Sequence, residues 1–167
     1  QLSRADRHKE SLHLEEFDLS ELTEMVAEEA QGLAESKAVT LTAEIEPGIL
    51  VKADQTLMMR IWLNLLTNAV KYGRQQGQIW LTLKSDGKNA VGTVRDDGIG
   101  ISAAELPKIW KRFYRVNTAR SSGDDSGTGL GLAMVKWMVE SHGGTVSAVS
   151  TLGAGSTFSF TIPLRPS

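Results

Sequence analysis

The segment QIWLTLKSDGKNAVGTVRDDGIGI, residues 78–101, decides the fold. Residues 78–84 and 90–94 read as two strands, and Asp86-Gly87 between them is a hairpin turn signal. Past Val94 the pattern changes. Arg95, Asp96 and Asp97 run into Gly98, Ile99, Gly100 and Ile101. Gly98 and Gly100 let the backbone turn sharply and let a ligand approach without interference from a Cβ. A carboxylate at a strand end can accept hydrogen bonds from an amino group, such as that of adenine. An ordinary Asp-Gly turn with solvated carboxylates is the plainer alternative.

Working outward, Asp18 followed by Glu21 has the form of a capping box, which predicts an amphipathic helix to about Ser36. Residues 39–45 alternate apolar and polar, as a half-buried strand does. Pro47-Gly48 makes a turn. Asp54 can cap a second helix over residues 55–72, and a third is expected over residues 129–141, stopping at His142-Gly143-Gly144. Residues 145–149 and 156–162 close the chain as a final hairpin. The expected fold is α+β: a two-layer sandwich, with a mixed, mostly antiparallel sheet of about five strands and three helices on one face.

Composition narrows the chemistry. The chain has 167 residues, 41% hydrophobic and 23% charged, as expected of one globular domain. It has no cysteine, which excludes a disulfide scaffold, thiolate metal sites and a cysteine nucleophile. A net charge of -2 lacks the basic footprint of nucleic-acid binding. No apolar run approaches the ~20 residues that span a bilayer. The sixteen glycines cluster in the second half, at 98–100, 123–131, 143–144 and 153–155.

Two further stretches break local rules. In the second helix, Met58, Ile61, Trp62, Leu65, Leu66, Ala69 and Tyr72 share one apolar face. Asn64, Asn68 and Lys71 lie together on its flank, at i, i+4 and i+7. Asn is a poor helix former, so two of them beside an apolar face are a local conflict. An exposed polar edge, or a pair of helix-to-loop hydrogen bonds, would also explain them. Residues 122–132 alternate Gly127, Gly129 and Gly131 and lead into a helix. Backbone N–H groups at a helix N-terminus form an anion site. The stretch is neither a Walker A loop nor a dinucleotide fingerprint, and alone it is a weak signal.

In order and spacing the pieces carry a sharper message. Asn64-Leu-Leu-Thr-Asn68-Ala-Val-Lys71-Tyr72 resembles the N box of sensor histidine kinases. Asp96-Asp-Gly98-Ile-Gly100 resembles their G1 box, Ile109-Trp-Lys-Arg112-Phe113-Tyr-Arg115 their F box, and Gly127-Thr-Gly129-Leu-Gly131-Leu their G2 box. Gly153-Ala-Gly155-Ser156-Thr-Phe158 resembles the terminal glycine-rich motif. The resemblance covers about residues 14–164 and extends to the ATPase domains of gyrase, Hsp90 and MutL.

The resemblance implies a Bergerat-type ATP-binding fold that uses ATP and Mg²⁺. Asn68 is implied as the metal ligand, with Asn64 beside it, Lys71 at a phosphate and Tyr72 against the nucleotide. Asp96 would take the adenine amino group, within a pocket that includes Gly98, Gly100, Ile101 and Ser156. Gly127, Thr128, Gly129, Leu130, Gly131 and Leu132 would hold the phosphates. Lys71, Arg112 and Arg115 are the implied catalytic, phosphate-positioning residues, the two arginines beside a mobile lid at about 102–126. The general base is expected outside the chain.

Two departures stand out: Asp97 where Asn is common, and Trp110 at the first aromatic position of the F box. A second carboxylate would repel triphosphate unless metal or Lys71 compensates, whereas Trp110 keeps an aromatic anchor. No acceptor motif like His-Glu-Leu-Arg-Thr-Pro is present. His8, His13 and His142 are expected to be exposed or capping. Residues 1–13 are therefore expected to be the tail of a preceding phosphoacceptor hairpin and its linker, and residues 14–165 the catalytic domain. The implied reaction is transfer of the γ-phosphoryl group of Mg-ATP to a histidine on that separate hairpin. The implied partners are the hairpin and a response regulator, with neither nucleic acid nor membrane contacted by this domain. The fragment is expected to be a monomeric cytoplasmic module, and the parent is compatible with an inner-membrane sensor. An ATPase clamp, an anti-sigma-factor-like serine kinase and a module that binds without chemistry are the rival readings.

Overall fold

A computed structural model describes residues 12–111 and 131–165. Among the described residues the first elements are strand β1 (Glu15–Asp18) and helix α1 (Leu19–Ser36). Asp18 caps this helix as expected, its Oδ1 accepting the Glu21 N–H at 3.1 Å. The helix buries Leu19, Leu22, Thr23, Val26, Ala27, Ala30 and Ala34, a stripe of helical period. Strands β2 (Thr40–Ile45) and β3 (Leu50–Ala53) lead to helix α2 (Gln55–Lys71). Asp54 caps α2 through Leu57 N–H at 3.2 Å. Strands β4 (Gln78–Ser85) and β5 (Asn89–Asp96), a 3₁₀ turn (Leu106–Lys108), helix α3 (Gly131–Ser141), β6 (Val146–Thr151) and β7 (Gly155–Pro163) follow.

The main sheet has the order β2-β4-β5-β7-β6, parallel at β2-β4 and antiparallel elsewhere. The expected mixed five-stranded sheet with three helices is thus observed among the described residues. Two short strands were not expected: β1 and β3 pair antiparallel as a separate two-stranded sheet. Leu164 adds a bridge to Val51, and the Arg165 N–H donates to the Leu50 carbonyl at 3.1 Å. Residues from both ends of the chain therefore meet at β3.

Strand alternation sets the inner face of the sheet. Rows of partners run Leu83–Gly92–Phe160 and Leu81–Val94–Phe158, all buried. Trp62 of α2 lies on this face, its ring centroid 4.9 Å from that of Phe160 in an edge-on contact. The indole N–H donates to Thr23 Oγ1 at 2.9 Å, and Thr23 donates to the Leu19 carbonyl at 2.7 Å. One buried chain of bonds thus ties α2 to α1. Trp62→Phe removes a donor and part of a buried ring. It should cost about 1–3 kcal/mol, read as a lower urea midpoint with an unchanged slope.

Candidate functional site

The next row of the inner face changes character. It runs Ile79–Asp96–Ser156–Ser150 across β4, β5, β7 and β6. Asp96 has the inward phase of Ala90 and Val94, so alternation alone carries a carboxylate into the core layer. It is 4% exposed. Its Oδ1 accepts the Gly98 N–H at 2.8 Å. Burial pushes the Asp96 carboxyl up to about 6, and the Asp97 charge adds to the rise. The N–H groups of Gly98 and Ser156 pull the other way.

A pocket opens at this end of the sheet. It is bordered by Asn68 and Tyr72 of α2, Asp96, Ile99, Gly100 and Ile101, Leu132 of α3, and Ser156 and Phe158 of β7. Six of these nine residues were expected at the site by their own positions on α2, β5 and β7 or beside them, and Leu132 as part of the glycine-rich loop. Ile99 and Phe158 were not singled out. Both sit inside the quoted motifs, where their apolar character between glycines, or after Ser156, was the available signal.

The loop after β5 is built around the end of α2. The Ile99 N–H donates to the Tyr72 carbonyl at 3.2 Å. A Cβ on Gly98 would collide with that carbonyl and come within 2.8 Å of Gly73 Cα. Close approach of the chain to itself therefore requires this glycine, rather than the approach of a ligand. Gly100 has φ +74, the left-handed region.

Asn64 and Lys71 share the flank of α2 with Asn68 and are half-buried, but they stand outside the pocket border. Lys71 Nζ lies 5.4 Å from the centroid of the Tyr72 ring. Gly98 borders a neighbouring open depression with Arg74, Gln75, Ile99, Leu152 and Gly153. Asp97 has a structural task. Its Oδ1 accepts the Gln78 N–H at 2.9 Å, and its own N–H donates to the Gln78 carbonyl at 3.3 Å. The extra carboxylate is thereby engaged at the start of β4.

The segment assigned to a lid begins with folded chain. Ile109 is 2% exposed, and the Trp110 ring meets Phe158 edge-on at 6.0 Å. The aromatic anchor expected of Trp110 is present. Arg112, Arg115, Gly127, Thr128, Gly129 and Leu130 lie outside the described residues. Gly131 opens α3.

His142 ends α3 with both ring nitrogens engaged. Nε2 accepts the Asp54 N–H at 3.1 Å, so Nδ1 carries the proton toward the Met138 carbonyl at 2.7 Å. The expected capping role is what the geometry describes. The His13 N–H donates to Asp54 Oδ2 at 3.1 Å. No group of three or more His, Cys, Asp or Glu side chains suited to a metal ion occurs among the described residues. A hard cation here would take its ligands from a bound phosphate chain and one neutral oxygen, that of Asn68. That donor set fits Mg²⁺ carried by a nucleotide. No helix among the described residues is long and apolar enough to cross a membrane.

An α+β sandwich thus holds a buried carboxylate at the rim of its sheet, in one pocket with the end of an asparagine-bearing helix. Residues 53–166 match the histidine kinase-, DNA gyrase B- and HSP90-like ATPase family, and the chain belongs to it. Among curated relatives, sensor histidine kinase TmoS of Ectopseudomonas mendocina is 37% identical over 165 residues, covering 98% of this chain and 17% of that protein. Sensor histidine kinase YclK of Bacillus subtilis (strain 168) is 35% identical over 146 residues, covering 87% of this chain and 31% of that protein. The chain thus spans less than a third of either relative. The solved mycobacterial sensor histidine kinase MprB superposes with a TM-score of 0.79 at 28% identity, covering 92% of this chain and 100% of that one. Full-length ShkA in complex with AMPPNP gives 0.80 at 30% identity, covering 94% of this chain and 32% of that one.

Proposed function

We propose that the chain is the catalytic module of a sensor histidine kinase, which passes the γ-phosphoryl group of ATP to a histidine on a separate hairpin of the same protein. The observation that carries this reading is the buried, accept-only Asp96 at the pocket wall, matched to the amino group of adenine. Ile99, Ile101, Leu132 and Phe158 give the base apolar walls and keep water from the Asp96 contact. Tyr72 borders the same cleft from α2. Asn68 supplies the protein's oxygen to Mg²⁺, which when bound neutralises phosphate charge. The N-terminus of α3, preceded by the glycine-rich stretch, favours the anionic phosphates.

Phosphoryl transfer of this kind needs positioning and charge stabilisation more than covalent help from the protein. A response regulator is the downstream acceptor. The named relatives are sensor histidine kinases, so the clamp and serine-kinase readings receive no support from them.

The acceptor is not expected within the chain. His142 has both nitrogens committed, His13 sits at the exposed start of the domain, and His8 lies outside the described residues. Incubated with labelled ATP, the chain alone should stay unlabelled. Adding the parent's histidine-bearing hairpin as a separate polypeptide should give acid-labile label on the hairpin only. The rate should be slow, because tethering no longer sets a roughly millimolar acceptor concentration. Label on this chain alone would refute the reading.

A further inference from the structure

The polar row at the sheet end contains one residue with no role so far, Ser150 of β6. It pairs with Ser156 of β7, which pairs with Asp96 of β5. Ser150 Oγ accepts the Ile101 N–H at 2.7 Å. It lies 2.8 Å from the Gly155 carbonyl and 2.8 Å from Ser156 Oγ. A hydroxyl has one proton and two lone pairs. The Gly155 carbonyl can only accept, so the Ser150 proton is used there. The bond between the two serines must then run from Ser156 to Ser150. All three valences of Ser150 are filled, and Ser156 has no proton left for the pocket it borders.

We propose that Ser150 is a positioning residue that fixes the hydrogen-bond polarity of the base pocket, leaving Ser156 beside Asp96 as a second acceptor that selects a 6-amino over a 6-oxo purine. This rests on the pocket being the base site, as proposed above, and adds the residue that discriminates. Asp96 alone is a poor discriminator. A 6-oxo purine could donate its ring N1–H to the carboxylate and place its oxygen against Ser156. With a free Ser156 proton that oxygen would be bonded. With the proton held by Ser150, it meets lone pairs. The amino group of a 6-amino purine brings two donors to the same wall.

The test is calorimetric titration of the chain with Mg-ATP and Mg-ITP, which differ at the 6-position and in the N1 proton. In Ser150→Ala the ratio of ATP to ITP affinity should fall about threefold to tenfold, the range of one neutral hydrogen bond. Ser150→Thr, which keeps the hydroxyl, should retain the wild-type ratio. Ser156→Ala leaves the Ile101 and Gly155 bonds of Ser150 in place and should lower the ratio by itself. Ser150→Ala added to it should change the ratio less than twofold, because Ser150 acts through Ser156. A purely structural serine would weaken both nucleotides equally. An unchanged ratio in Ser150→Ala, or a full further fall in the double variant, overturns the inference. Should Ser150→Ala fail to fold, an unchanged ratio in Ser156→Ala overturns it. A wild-type chain that binds neither nucleotide overturns the base-site reading itself, and this inference with it.

Discussion

Asp96→Asn should lower ATP affinity at least tenfold while making the unliganded domain more stable at pH 8. The affinity loss follows from chemistry: the amide puts a donor where the adenine amino group needs an acceptor, and a hydrogen bond to a charged group is worth roughly 1.5–3 kcal/mol. The gain in stability follows from burial. In the unfolded chain the carboxyl has its ordinary value of 3.8, and in the fold it stands at about 6. Between these values the folded state holds a proton that the unfolded state has lost. Stability therefore falls as pH rises from about 4 to 6, and above that the full penalty is present. At about 1.4 kcal/mol per pH unit the penalty is about 3 kcal/mol. The neutral amide avoids most of it, so a gain of about 1–3 kcal/mol is expected at pH 8, and little at pH 4. The wild type should bind ATP more weakly as pH drops through 6, and Asp96→Asn should lose that dependence. Thermal melts and calorimetry at pH 4, 6 and 8 check both halves. Equal stability of the two proteins at pH 8 would mean that Asp96 is better solvated than its burial implies.

Much of this site can be read before any coordinates. Asp18 and Asp54 each cap a helix because a short acidic side chain precedes an apolar periodic run, a purely local signal. Asp96 and Ser156 stood out through their motifs, but their inward phase appears only because β5 runs on to Asp96 and β7 begins at Gly155, beyond the expected strands over 90–94 and 156–162. What escaped depends on contacts distant in sequence. Strand β1, with the charged sequence EEFD, has no apolar alternation and exists because β3 lies beside it. Asp97 reads as a second carboxylate at the ligand, yet its bond partner is Gln78, nineteen residues away. Ser150 occupies an edge strand that alternates half-buried and exposed residues. Nothing in Val146–Thr151 marks it; only the register with Ser156 does. Local rules thus locate the helices and the five strands of the main sheet, and strand register decides which polar side chains meet.

The second large effect is expected at Asn68. This residue borders the pocket from the last turn of α2, whose end is held by the Ile99 bond to the Tyr72 carbonyl. Asn68→Asp keeps the size, the helix and an oxygen donor, so the fold should be little disturbed and the melting temperature should move by about 2 °C or less. Its chemistry changes sharply. A neutral oxygen that can share a cation with phosphates becomes a negative charge facing them, in a cleft screened less than bulk water. Removing one well-placed electrostatic group from an active site typically costs about a hundredfold or more in rate. Transfer to the added hairpin should fall by that order, with ATP affinity reduced less than transfer, because Asp96 still holds the base. Asn64→Asp, outside the pocket border on the same helix, should have a much smaller effect. Near-normal transfer by Asn68→Asp would remove Asn68 from the site. Equal losses at Asn64 and Asn68 would place the phosphates along the whole flank of α2 rather than at its end.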